Sequence, residues 1–188
     1  LIQGRTDDSY LTDIGYKQAT KTGKALSGIY FDKIYSSSLV RAAETAKTIQ
    51  KNLQKDFSIT YDNNLLEVDL SSWSGLAIDE IKKLYPEHYL VWKNDPENLQ
   101  LERNNNVAYK PIKELYDQAN DFIKDIFSIY LGKNDANILI IGHNAILRCL
   151  ILSLLGKPKK GFRKIKLDNA SISILNISKQ QNSYKTQV

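Results

Sequence analysis

Two kinds of apolar pattern alternate along the 188 residues. Short unbroken apolar runs suit strands covered on both faces, and longer stretches repeat every three to four residues, as helices with one covered side do. Thr12 is placed to cap a helix over residues 13–26 that stops near Gly28. FDKIYSS (31–37) reads as a strand, and SLVRAAETAKTIQKNL (38–53) as a helix rich in good helix formers. FSITYD (57–62) reads as a second strand. From 65 to 76 the periodicity fades into a loop, followed by a short helix to Leu84. Pro86 and Pro96 frame an irregular, partly helical insert with Trp92 and several tyrosines, and Asn104 to Asn106 mark a loop. A long amphipathic helix runs from Pro111 to about Leu131. A strand at 137–141, a helix after Asn144 and a last strand, SISILNIS (171–178), follow.

Strands alternating with helices predict an α/β fold of three layers, with helices on both faces of a mostly parallel sheet. There is no internal repeat and no low-complexity linker, so residues 1–188 read as one domain. No segment looks like a signal peptide or a membrane span, so the expectation is a cytoplasmic protein with no membrane partner. Cys149 is the only cysteine, which excludes an internal disulfide and favours a reducing compartment. The net charge of +5 comes from 21 lysines and five arginines, scattered apart from short clusters at Lys157 to Lys160 and Lys164 to Lys166. No basic stripe is interleaved with aromatics, so no nucleic-acid partner is expected, while an anionic small molecule is compatible with the charge.

In a parallel sheet, ligands sit beyond the carboxyl ends of the strands. Three polar elements follow predicted strands: His143 after ILII, Arg41 in the first turn of the helix after DKIY, and Glu67 in the apolar phrase LLEVDL. Singly, each has a plain structural explanation as a cap, a solvated helix residue or a loop carboxylate. Jointly they suit phosphoryl transfer. Arg offers a planar fork to phosphate oxygens, His donates to the same oxygens, and a carboxylic acid protonates a leaving alkoxide. The turn from Gly142 into the helix at Asn144 also points backbone N–H groups and the positive helix end at an anion.

The residues that carry these elements resemble the motifs of the histidine phosphatase superfamily, the phosphoglycerate-mutase-like phosphatases. LIQGRTDDSYLTDIGYKQA, YSSSLVRAAETA, LLEVDLSSWSGL and IIGHNAILR are similar, in order, to four of that family's motifs and span nearly the whole chain. YPEHYLVWKNDPEN and PIKELYDQANDF look most like the cyanobacterial sugar-phosphate phosphatases, which include relatives of 2-carboxyarabinitol-1-phosphate phosphatase and some tandem-domain proteins.

The resemblance implies a phosphoglycerate-mutase-like fold and a phosphomonoesterase acting on a small phosphorylated metabolite, a sugar phosphate, through a phosphohistidine, with no metal or other cofactor. It puts Arg41 and His143 on the phosphate oxygens, Glu67 in the role of acid, and Gln3, Gly4, Asn144 and Ala145 against the substrate. A mutase using the same pocket, or a non-catalytic domain that binds a phosphorylated ligand, are the alternatives. Asp69 is a rival acid, since on an extended segment it would point the same way as Glu67. The family's nucleophile stands in R-H-G at the end of its first strand, and no R-H-G occurs here; His88, the only other histidine, lies outside any such motif. Loss of a central strand would leave buried neighbours with unpaired backbone groups, so the chain is expected to belong to a longer protein.

Overall fold

The computed structural model describes residues 1–53, 58–103, 105–132, 135–157, 159–180 and 183–187. Phe57, where the second strand was expected to begin, and Asn104 of the expected loop lie outside them. Helix α1 (Asp13–Leu26) starts as its sequence predicts, with the Thr12 hydroxyl accepting from the Gly15 N–H. Strand β1 (Lys33–Ser36), helix α2 (Val40–Gln50) and strand β2 (Ile59–Tyr61) follow. An irregular region then carries three 3-10 turns, helices α3 (Ile78–Leu84) and α4 (Pro86–Asn94), and the two-residue strands β3 (Leu101–Glu102) and β4 (Ala108–Tyr109). Helix α5 (Pro111–Tyr130), with Pro111 at its first position, precedes strand β5 (Ile138–Ile141) and helix α6 (Asn144–Leu154). Strands β6 (Asn176–Lys179) and β7 (Tyr184–Gln187) form an antiparallel hairpin.

The central sheet is parallel, in the order β2–β1–β5. Alternation along its strands separates the layers. Ile34 and Ile141 pack with Ala19 and Leu26 of α1 and Ala42, Ala46 and Ile49 of α2. Tyr35 faces the other way, into a larger core that takes Leu115, Ala119 and Phe122 from α5 and Ile146 and Cys149 from α6, with Ile138 and Ile140 against it. The fold is therefore α/β with helices on both faces, as the period of the sequence implies.

The last strand departs from expectation. SISILNIS is paired only from Asn176, and with β7 rather than with the central sheet. Ile172 and Ile174 stand exposed. The outer edge of β5 likewise has no strand partner among the described residues, and Ile138 to Ile140 are only half-buried. Both segments alternate as strands do; what they lack among the described residues is a strand partner.

Helices α1 and α2 approach closely at Gly23, where an added Cβ would stand 2.8 Å from the Ile49 carbonyl oxygen. Gly28 has nothing within 4 Å of such a Cβ. Gly23→Ala should destabilise the protein by about 1–3 kcal/mol despite alanine's better helix propensity, because backbone must give way. Gly28→Ala should be neutral or stabilising by up to about 1 kcal/mol. Urea midpoints of the two variants against wild type check the pair, and equal effects would mean that the helix contact tolerates a methyl group.

Candidate functional site

The first turn of α6 faces the segment after β2. As N-cap, His143 takes extended backbone and leaves the next N–H groups without helical partners. The Glu67 carboxylate fills that position. Its Oε1 accepts from the N–H groups of Val68 at 2.9 Å, Ala145 at 3.2 Å and Ile146 at 3.3 Å, and its Oε2 accepts from Ala145 at 3.3 Å. Burial raises the Glu67 pKa above the ordinary carboxylate range, while these three N–H groups and Arg41 pull the other way. The anion position that the sequence suggests at this helix mouth is thus held by the chain's own acid, and the N–H of Ala145, a residue expected against the substrate, is bonded to Glu67.

Arg41 reaches the same place from the first turn of α2. Its Nη1 donates to the Thr6 carbonyl at 2.8 Å and its Nη2 to the Gly4 carbonyl at 2.7 Å. Burial lowers its pKa from a value far above neutrality, and Glu67, Asp7 and Asp8 oppose this, so the guanidinium stays cationic. The contact is possible because Gly4 has φ +52° and is buried against the 68–74 segment, where a Cβ would stand 2.8 Å from the Ser74 hydroxyl. Asp7 fastens the same stretch, accepting from the Val40 N–H at 2.6 Å at the start of α2.

His143 is 8% exposed, with its Nε2 2.9 Å from the Ser37 hydroxyl. Ser37 follows β1 directly and is itself fully buried. Burial, reinforced by the Arg41 charge, lowers the His143 pKa to about 3, so the ring is neutral near pH 7. A neutral imidazole donates through one nitrogen only, which couples the Ser37 contact to whatever the other nitrogen meets.

Arg41, Glu67, His143, Gly4 and Ala145 thus converge beyond the carboxyl ends of β1 and β5. Gln3 is exposed beside them, its carbonyl accepting from the Thr6 N–H at 3.0 Å. Asn144 turns outward, its amide donating to the Leu167 carbonyl at 3.1 Å. Asp69 does not share the Glu67 position. Its carboxylate accepts from the Ser71 N–H at 2.9 Å and stands 3.6 Å from Arg103. His88 is exposed on α4 against Tyr85.

Sequence reasoning missed two residues that hold the acid's backbone. Arg5 donates from Nε to the Glu67 carbonyl at 2.8 Å and from Nη2 to Gln118 Oε1 at 2.8 Å. Gln118 Nε2 donates in turn to the carbonyls of Asn64 at 3.0 Å and Leu66 at 2.8 Å. The available signal was a half-buried amide between the buried Leu115, Ala119 and Phe122 on the apolar side of α5.

Gln118→Leu strands three partners, and should cost about 1–3 kcal/mol in urea unfolding. A loss below about 0.5 kcal/mol would mean that solvent replaces the amide. His143 gives a pH test. Its folded pKa lies below the ordinary 6.5, so the unfolded chain binds a proton that the folded one rejects between about pH 6.5 and 3. The stability it contributes is whole above pH 6.5 and is lost as pH falls. Wild type should therefore lose about 2–3 kcal/mol more than His143→Asn between pH 7 and 4.5. Parallel curves for the two proteins would show that the ring is not buried as a neutral base.

The family model described as "Histidine phosphatase superfamily (branch 1)" matches residues 1–188. Phosphoserine phosphatase 1 of Hydrogenobacter thermophilus is 26% identical over 93% of this chain and 78% of its own length. The 2-carboxy-D-arabinitol-1-phosphatase of Triticum aestivum is 31% identical over 95% of this chain, which spans only 34% of that protein. Among solved structures, the alpha-ribazole phosphatase of Shigella flexneri superposes with a TM-score of 0.80 at 22% identity, covering 100% of this chain and 87% of that one. A mycobacterial glucosyl-3-phosphoglycerate phosphatase with inorganic phosphate gives a TM-score of 0.82 at 20% identity, over 100% and 89%. The chain belongs to the histidine phosphatase superfamily, with phosphatases among its relatives.

Proposed function

We propose that the protein containing this chain is a phosphomonoesterase that acts on a small phosphorylated metabolite through a phosphohistidine. The observation that carries the reading is the meeting of Arg41, His143 and Glu67 at one lip of the sheet, brought there by three separate elements. The reading requires a nucleophilic histidine on an R-H-G strand, and the 188 residues contain no R-H-G. The outer edge of β5 and the unpaired strand-like stretch before Asn176 are both suited to flank such a strand.

In the first step the nucleophilic imidazole attacks phosphorus in line, and the P–O bond to the leaving group breaks. Arg41 and His143 hold the equatorial oxygens, where charge spreads as the phosphoryl group moves. Glu67 gives its proton to the leaving oxygen, and as a carboxylate it then takes a proton from the water that cleaves the phosphohistidine. Incoming phosphate charge adds to burial in raising the Glu67 pKa, which favours the protonated acid at the moment it is needed. Side chains carry every step. A sugar phosphate as substrate is supported by the wheat relative, named for a phosphorylated sugar acid.

Glu67→Gln keeps the shape but delivers no proton. In the full-length protein it should depress turnover of an alkyl or sugar phosphate by about 100- to 10,000-fold, and that of nitrophenyl phosphate far less, because nitrophenolate leaves without a proton. Leaving-group dependence in Asp69→Asn but not in Glu67→Gln would identify the other carboxylate as the acid. Wild-type enzyme quenched in mid-turnover with labelled substrate should hold acid-labile phosphate. A protein that binds the substrate but never turns it over would be a phospholigand-binding domain.

A further inference from the structure

Glu67 stands on a stretch of chain, Leu66 to Leu70, that belongs to neither helix nor strand and lies between two 3-10 turns. Backbone groups in such a stretch need partners from elsewhere. Here side chains supply them, at two anchors on either side of Val68.

The first anchor is Arg5. Half-buried, it donates from Nε to the carbonyl of Glu67 itself and from Nη2 to Gln118 Oε1, both at 2.8 Å. Next to it in the chain, on either side, are the Gly4 and Thr6 carbonyls, which take the two ends of the Arg41 fork at 2.7 and 2.8 Å. A single residue therefore lies between the group read as holding phosphate and the group read as protonating the leaving oxygen. Arg41 fixes the backbone of Arg5, and the side chain of Arg5 fixes Glu67. With its carboxylate on the Ala145 and Ile146 N–H groups and its carbonyl on Arg5, Glu67 is held at both ends.

The second anchor is Tyr109 of β4, whose hydroxyl donates to the Asp69 carbonyl at 3.1 Å. Arg103 covers that ring, 3.9 Å from its centre. It also forks onto Glu114 of α5, Nη1 donating to Oε1 at 3.2 Å and Nη2 to Oε2 at 2.6 Å. These bonds run to α5 and to the acid's own segment, not to the loop that Arg41 holds. They steady the segment without joining it to Arg41.

We propose that Arg5 is a positioning residue, which ties the acid Glu67 to the phosphate-holding Arg41 and sets the two in one geometry. The roles of Arg41 and Glu67 come from the phosphatase reading, on which this inference rests. A proton is delivered only within hydrogen-bond reach of the leaving oxygen, and misplacement by about 1 Å can cost about 100-fold in rate. Arg5 acts through Glu67, so its loss should show where Glu67 is needed and little elsewhere.

In the full-length protein, Arg5→Gln should lower kcat on glycerol 3-phosphate by about 10- to 100-fold, while KM stays within about threefold because Arg41 remains. Turnover of nitrophenyl phosphate, whose leaving group needs no proton, should fall by about threefold or less. Added to Glu67→Gln, the substitution should change little more, since no proton is left to misplace. Arg5→Lys still offers a donor to the Glu67 carbonyl but has no second arm for Gln118, and should restore part of the loss. Equal losses on both substrates, losses that add to those of Glu67→Gln, or the same substrate dependence in Arg103→Gln would overturn the link.

Amide exchange followed by NMR judges it without turnover. The Ala145 and Ile146 N–H groups, which bond to Glu67, should exchange about tenfold or more faster in Arg5→Gln, and that of Ala19 within α1 should keep its rate. Unchanged rates at Ala145 and Ile146, or acceleration that includes Ala19, would overturn the link. A wild type that turns over neither substrate would sink the phosphatase reading alone, and the exchange rates would still decide whether Arg5 holds the acid in place.

Discussion

The carboxylate of Glu67, seated on the N–H groups of Val68, Ala145 and Ile146, is the constraint on which the site depends. It joins parts of the chain 78 residues apart and gives the positive end of α6 an anion of its own. Without it, donors at a buried helix start would lack partners, and the segment after β2 would lose its anchor on the sheet edge. The far end of α6 is also held by side chains: the Tyr184 hydroxyl donates to the Ser153 carbonyl and Thr186 to that of Leu154. A helix fastened at both ends carries His143 at its lip with little freedom to drift.

How much of this was readable in the chain depends on the range of the interaction. Helices α1 and α5 were legible because their signals are local: the Thr12 hydroxyl three residues from Gly15, Pro111 at a first turn, and an apolar repeat behind each. The strand-end placement of Arg41 and His143 followed from pattern, since apolar runs bounded by turns say where a strand must finish. Gln118 was not legible, because what it holds are backbone carbonyls at Asn64 and Leu66, and a carbonyl leaves no mark on the amino-acid code. Ser37 was hidden because its partner, His143, stands 106 residues along the chain. Asp69 shows the opposite failure. Alternation along LLEVDL implies that Glu67 and Asp69 share a face, yet the two carboxylates meet different partners: Glu67 the N–H groups that open α6, and Asp69 the Ser71 N–H and Arg103.

Among the described residues the outer edge of β5 is unpaired, and this has a geometric consequence for the nucleophile proposed above. In a parallel sheet, partners advance together, so a strand laid along Ile138–Ile141 in the same direction ends where β5 ends, beside His143. The residue just past such a strand would need no long loop to bring it to Arg41. Its position would be set by register alone. One residue of slippage would move it by about 3.3 Å and turn every side chain of the strand to the opposite face, away from the lip. Fidelity of catalysis in a molecule built this way is then a property of strand alignment, decided when the sheet closes and not when the substrate arrives.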